Sequence, residues 1–235
     1  EHPLVLWAAR RAGRPVKWTS DRTESMLTDY QARDLVIDAA MAFDAEGQLT
    51  ALHTTNTSNI GAYSASWIPL VKGVEISTVL YRVPSVSARA IAVQTNTPPT
   101  YPYRSAGRPE VMYAMERMMD MAAQATGLDR IEIRRRNLAR PEEMPYDNGF
   151  GLIFEASDFP AALEAAVNLS DWNGFEARRE EARGRGILRG IGIAKYADLS
   201  PGYPREWTEI DVLPEGAIQV QIGTMATGQG HQTTF

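Results

Sequence analysis

The sequence contains no cysteine and only three histidines among its 235 residues. Without a thiol the chain forms no disulfide, thiolate zinc site or iron–sulfur cluster of its own, and it has no Cys nucleophile. A reducing compartment is compatible with that composition, and the expected location is the cytoplasm. His2, His53 and His231 are scattered. No two of them have the spacing that sets a pair of imidazoles on one helix face, so no protein-ligated metal is expected, and His53 reads as a structural strand residue.

An excess of positive charge is also lacking. The chain has 24 basic and 29 acidic residues, a net charge of −5, and no long run of one sign. Nucleic-acid binding needs a concentrated cationic surface that displaces phosphate counterions, so no nucleic-acid partner is expected. Long apolar runs are missing too. The stretch from Leu35 to Phe43 is interrupted by Asp38, and a bilayer span takes about 20 apolar residues, so no membrane span is expected. Glu1-His2-Pro3-Leu4 has neither the basic start nor the apolar core of a signal peptide. Both ends read as cut: there is no initial Met, and the chain stops just past Gly228-Gln229-Gly230-His231.

What is present, 44% hydrophobic and 23% charged residues, suits a globular chain with one large core or two modest ones. Apolar residues at 4, 5, 8 and 9 predict a helix over 2–11, ended by Gly13 and Pro15, and 16–19 reads as a short strand. The stretches 34–43 and 48–57, separated by Asp44-Ala45-Glu46-Gly47, predict a β-hairpin, and 83–94 a further strand. Three prolines between Asn96 and Pro102 remove donors and fix φ, which makes that segment a rigid loop. Pro109 suits a first helical turn, and the apolar residues at 111, 112, 115, 118, 119 and 122 follow on one face until Gly127. Asp129 with Glu132 three residues on reads as a capping box opening the next helix.

Between Ala139 and Ser157 the composition shifts to two prolines, four acidic residues and two glycines, a boundary between two lobes taken as 1–150 and 151–235. Helices near 157–168 and 171–183 are expected to precede strands over 190–196, 208–213 and 217–222. Helices and strands mix without strict βαβ alternation, so the class is α+β.

Two segments can carry chemistry. Tyr101-Pro102-Tyr103-Arg104-Ser105-Ala106-Gly107-Arg108-Pro109-Glu110 is a stiff loop running into a helix. Unpaired N–H groups and a positive dipole end lie at such a start, small residues before it let an anion approach, and Arg104 adds a fork of cationic donors. The plainer alternative is an ordinary loop-to-helix connection whose arginines cap or face water, with Arg108 capping the helix. The second segment, Gly223 to His231, is also glycine-rich, but Gln229 and Gly230 stand where a phosphate-binding loop needs Lys and Ser/Thr. Gly184-Arg185-Gly186 meets its next glycine at 190, one residue late for a dinucleotide fingerprint. Asp21, Arg22 and Glu24 read as a charged turn and Glu206 with Glu209 as a solvated strand edge, neither an acid/base dyad.

Taken in order, Gly13-Arg14-Pro15-Val16-Lys17, Ser58-Asn59-Ile60-Gly61-Ala62-Tyr63, Tyr103-Arg104-Ser105-Ala106-Gly107-Arg108 and Arg134-Arg135-Arg136-Asn137-Leu138 resemble the molybdenum-binding large subunits of the xanthine dehydrogenase/aldehyde oxidase family. The Gly228-Gln229-Gly230-His231 loop completes the match, which covers nearly the whole chain. The resemblance implies an incomplete α+β pair of lobes of such a subunit. It places Tyr103, Arg104, Ser105, Ala106 and Gly107 at the molybdenum pocket, and Gly228, Gln229 and Gly230 against molybdopterin, expected in its cytosine dinucleotide form. The implied reaction is hydroxylation of an aldehyde or N-heterocycle at carbon with water as oxygen source. The implied partners are the rest of the large subunit, an iron–sulfur subunit and an FAD subunit that carry the electrons away, and a small-molecule substrate.

The family's catalytic glutamate lies in a Gly-Glu motif beyond Phe235, so no residue of this chain is nominated as catalytic, and the chain alone is expected to be inactive. Copper–molybdenum carbon monoxide dehydrogenases have a Cys where Ser105 stands, which excludes that copper-dependent activity here. Lys72 stands where purine-oxidising relatives have an arginine. The alternative from another class is a non-catalytic α+β interaction module whose glycine loops are turns. The two differ in the length of the source protein, roughly 700 residues or more for the enzyme.

Overall fold

The computed structural model describes residues 2–198, 205–226 and 228–234. They form two compact units, Glu1–Asp198 and Leu199–Phe235.

The frame of the first unit is a three-stranded sheet in the order β1-β2-β3, made of β1 (Leu35–Phe43), β2 (Leu49–Gly61) and β3 (Ser85–Gln94). The predicted hairpin forms with β1 antiparallel to β2, from Leu35↔Ser58 to Phe43↔Leu49, and β3 adds parallel to β2 from Ala51↔Ser85. Period-two alternation turns Leu52, Thr54, Asn56, Ser58 and Ile60 of β2 to one buried face. A parallel neighbour requires a crossover, and α3 (Ile68–Glu75) lies in it. The long helix α4 (Arg108–Thr126) packs against α3 and β1 and buries Val111, Met112, Met115 and Met119. Each such side chain taken out of water contributes about 1.5–3 kcal/mol. Gly127 ends α4 at φ 73, the left-handed conformation that glycine adopts without a Cβ penalty.

Helix α5 (Arg130–Asn137) follows directly. The Asp129 carboxylate accepts from the amides of Ile131 and Glu132, but Glu132 does not reach back; its carboxylate pairs with Arg135 and Arg136. The expected capping box is therefore a one-sided cap. Asn137 accepts from the Leu49 amide at 2.6 Å and donates to Gly47 O at 2.8 Å, so α5 closes the turn between β1 and β2. Beyond it come the two-residue strands β4 (Tyr146–Asp147) and β5 (Ile153–Phe154), then α6 (Phe159–Leu169) and α7 (Phe175–Gly184) near the expected positions. The expected lobe boundary at 150/151 falls inside this first unit.

Three expectations change, and one helix appears that had none. Residues 16–19 form no strand, and the charged turn after them is a helix, α2 (Arg22–Thr28), whose N-cap Asp21 accepts from Glu24 N at 2.8 Å. It follows α1 (His2–Ala12). Residues 190–196 form no strand; the carbonyls of Ile191 and Ile193 accept from the side chains of Arg130 and Arg134 instead. Helix α3 has no forecast in the sequence, since eight residues around Pro69 carry too short a pattern.

In the second unit, β6 (Thr208–Val212) and β7 (Ile218–Ile222) form the expected antiparallel hairpin, closed by Leu213 N to Ala217 O at 2.8 Å. Helix α8 (His231–Thr234) comes last. The protein is α+β, and no helix among the described residues is long and apolar enough to cross a membrane.

Candidate functional site

The proline-rich loop is fixed by the end of β2. The Asn59 amide nitrogen donates to Asp34 Oδ2 and Thr97 Oγ1, both at 2.9 Å, and its oxygen accepts from Gly61 N and Thr95 Oγ1. Thr100 Oγ1 donates to Asn59 O at 2.9 Å. A Cβ on Gly61 would lie 2.5 Å from Pro99 Cα, so only glycine lets the loop cross there. From the other side, Gln31 N donates to Pro99 O, Tyr101 N donates to Gln31 O, and the rings of Tyr30 and Tyr101 stack at 4.8 Å. The Ser58–Tyr63 motif and the proline loop are thus one structural element.

The next three residues turn left-handed in succession: Ser105 at φ 63, Ala106 at φ 26 and Gly107 at φ 86. Ala106 N donates to Tyr103 O at 3.0 Å and Arg108 N to Ser105 O at 3.1 Å, closing a tight coil at the start of α4. Gly107 is the α4 N-cap, and a Cβ there would stand 1.8 Å from Pro69 O of α3. The missing side chain at Gly107 therefore lets α3 abut the start of α4.

Side chains leave this coil in different directions. Tyr103 and Arg104 are exposed. Ser105 Oγ donates to Asp198 Oδ2 at 2.5 Å, and Arg108 Nη1 to Asp198 Oδ1 at 2.7 Å. Arg108 is only 5% exposed and pairs with Asp198, and it makes no side-chain cap hydrogen bond, the role the plainer alternative gave it. Arg33, in a left-handed conformation of φ 64, donates Nη2 to Arg104 O at 2.8 Å and Nη1 to Glu110 Oε2 at 3.1 Å. Its guanidinium lies 5.3 Å from the centre of the Tyr103 ring. Both carboxylates beside the coil, Glu110 and Asp198, are thus engaged by arginines, whereas the Arg104 guanidinium has no hydrogen-bond or ion-pair partner among the described residues. Lys72, on α3, pairs with Glu75 at 2.6 Å.

Sequence reasoning singled out the 103–107 loop but not Arg33 and Asp198, which the structure places against it. Asp198 lies 93 residues from Ser105, and no local pattern announces such a partner.

The Gln-Gly loop of the second unit follows β7, with Gly223 N donating to Trp207 O at 3.0 Å. Gly228 at φ 111 and Gly230 at φ 75 take conformations that side chains resist, and Gly230 O accepts from Thr233 N at 2.8 Å to begin α8. Gln229 is exposed, and Thr227 lies outside the described residues. Among the described residues no group of three or more His, Cys, Asp or Glu side chains is arranged to hold a metal ion. His53 is exposed on β2, 3.3 Å from Ser87 Oγ of β3.

Sequence models of the molybdopterin cofactor-binding domain match residues 1–138 and residues 165–235. The chain belongs to the molybdopterin-binding large-subunit family of the xanthine dehydrogenase and carbon monoxide dehydrogenase type. It is 36% identical over its whole length to the 6-hydroxypseudooxynicotine dehydrogenase complex subunit gamma of Paenarthrobacter nicotinovorans. Over 95% of its length it is 31% identical to the carbon monoxide dehydrogenase large chain of Hydrogenophaga pseudoflava. The crystal structure of quinoline 2-oxidoreductase from Pseudomonas putida 86 superposes with a TM-score of 0.89 at 30% identity, covering 98% of this chain and 31% of that one. The chain spans about 30% of the length of these curated relatives.

The residues present fit an anionic, phosphate-bearing pterin complex. An exposed guanidinium without a partner among the described residues stands on a tight coil at a helix start, and the adjacent carboxylates are already charge-compensated.

Proposed function

We propose that this chain forms part of the cofactor-binding large subunit of a molybdenum hydroxylase that oxidises an aldehyde or N-heterocycle at carbon with water as oxygen source. The carrying observation is the uncompensated Arg104 on a coil whose two neighbouring carboxylates are engaged elsewhere. In this reading Tyr103 to Gly107 border the molybdenum pocket, with Arg104 orienting negative charge and the proline loop excluding water. Gly228, Gln229 and Gly230 contact the pterin part. In support, each loop lies within a match to a molybdopterin cofactor-binding domain. When bound, the molybdenum complex supplies the two-electron redox chemistry. A cytosine dinucleotide form of the cofactor, iron–sulfur and FAD subunits as electron partners, the two-lobe division near 150 and a cytoplasmic location belong to the same proposal. Copper-dependent carbon monoxide oxidation does not, because serine stands at 105 and the chain has no cysteine.

The test is made in the full-length, cofactor-loaded enzyme. Loss of a charged hydrogen bond in a water-poor pocket removes about 2–4 kcal/mol of transition-state stabilisation, roughly 30- to 1,000-fold in rate. Arg104→Ala is therefore expected to lower kcat/KM at least about tenfold, and Arg104→Lys to recover only part, since it keeps the charge without the planar fork. Arg117→Ala, at an exposed position of α4, is the control. Wild-type kinetics for Arg104→Ala at full molybdenum occupancy would leave the loop outside the active site.

A further inference from the structure

One guanidinium, that of Arg33, touches three parts of the 103–110 segment at once. It meets the Arg104 carbonyl at 2.8 Å, the Glu110 carboxylate in the first turn of α4 at 3.1 Å, and the Tyr103 ring at 5.3 Å from its centre. The residue comes from the chain just before β1, and its left-handed φ of 64 belongs to the turn that delivers it. Among the described residues no other side chain bonds the Arg104 main chain. Ser105 is held separately, by Asp198.

We propose that Arg33 is a positioning residue: by fixing the Arg104 carbonyl against the α4 start, it sets where the exposed side chains of Tyr103 and Arg104 present themselves to the bound group. The inference rests on the reading that this loop borders the cofactor. A planar fork suits the task, because two N–H groups fixed in one plane address the carbonyl and the carboxylate together, while the flat face lies on an aromatic ring. An ammonium group carries three donors on one nitrogen but has neither the planar fork nor the flat face, so lysine cannot hold Arg104 O and Glu110 in the same geometry while lying on the Tyr103 ring.

The test uses the holoenzyme with Arg33→Ala, Arg33→Lys, Glu110→Gln and Arg104→Ala, read three ways: hydrogen exchange of the 102–108 peptide, the Mo(V) electron paramagnetic resonance signal, and kcat separately from KM. Arg33→Ala and Arg33→Lys are expected to speed exchange in that peptide by about tenfold or more. They should also alter the Mo(V) signal and lower kcat by about tenfold, with KM changed less than about twofold. Glu110→Gln keeps an acceptor oxygen for Arg33, so exchange in that peptide should rise less than in Arg33→Ala. If Arg33→Ala does not fold, Arg33→Lys decides. Wild-type exchange in Arg33→Lys overturns the clamp. Faster exchange with unchanged kcat and Mo(V) signal, while Arg104→Ala is impaired, overturns the positioning role. If Arg104→Ala itself is wild type at full molybdenum occupancy, it is the active-site reading of the loop that has failed, and exchange still shows separately whether Arg33 holds it.

Discussion

Arg134 of α5 donates Nε to Glu116 Oε2 of α4 at 2.9 Å, with the guanidinium fully out of solvent and the carboxylate nearly so. Tyr81 OH donates to the other oxygen of Glu116 at 2.5 Å, and Arg134 also reaches Glu116 O and the Arg130 carbonyl. Each polar atom named has a partner, which is the condition under which a buried ion is tolerated. The Arg-Arg-Arg-Asn-Leu motif is thus a fold-holding element in which Arg134 and Asn137 face inward and Arg135 and Arg136 face the surface acids.

Removing one side of that pair leaves an uncompensated charge. Arg134→Met is expected to lower the stability of the large subunit by about 3–5 kcal/mol. Glu116→Gln keeps only one acceptor oxygen for Tyr81 and Arg134, but Arg134 still pairs with Asp120 at 3.0 Å, so this change should cost less. Urea titrations of both variants check this, and a loss below about 1 kcal/mol for Arg134→Met would contradict the burial of the pair.

Tyr81 is wholly buried, and its hydroxyl pKa is pushed well above the ordinary tyrosine value by burial first and the Glu116 charge second, with Arg134 opposing. A folded-state pKa above the unfolded one gives a contribution fully present below about pH 10 and lost as pH rises beyond it. Tyr81→Phe is therefore expected to flatten the fall in stability above about pH 10, whatever it does to stability at neutral pH. Chemical denaturation across pH 8 to 11 would show it; parallel declines in wild type and variant would count against it.

Gly107 and Ala106 make a matched pair of tests. Gly107→Ala places a methyl 1.8 Å from Pro69 O at φ 86, so α3 and α4 must separate, and a loss of about 3 kcal/mol or more is expected. Ala106→Gly, at φ 26, relieves the backbone while freeing the unfolded chain, and the net change should stay within about 1 kcal/mol. Equal effects in thermal melts would mean that the contact between α3 and the loop is not tight.

Asn137 is 1% exposed and bonds Leu49 N, Gly47 O and Ile133 O. Asn137→Ala leaves at least two buried backbone groups unsatisfied, an expected cost of about 2–4 kcal/mol. Hydrogen exchange at Leu49, measured alongside stability, should rise in the variant, and an unchanged rate there would refute the assigned role.

The elements legible in the sequence are those fixed by neighbours along the chain. Prolines 98, 99 and 102 and the glycine before Arg108 mark the stiff loop, because they restrict or release φ at their own positions. The hairpin and α4 follow from periods of two and 3.6. Residues 190–196 carry the same apolar pattern as a strand but find arginine side chains in place of a ladder, a choice made by what lies beside them.

By itself, the sequence determined the α+β class, the loop of Tyr103 to Gly107 and the family resemblance, since each is written in residues close together. Only the tertiary structure decided that Arg108 is buried against Asp198, 90 residues away, that Ser105 donates to the same carboxylate, and that Arg33 grips Arg104 from 71 residues upstream. An arginine that caps, one that pairs and one that stands free are the same letter until burial and neighbours divide them. The division is electrostatic: a cation removed from water must meet an acceptor, whereas Arg104 is exposed and has no such partner among the described residues.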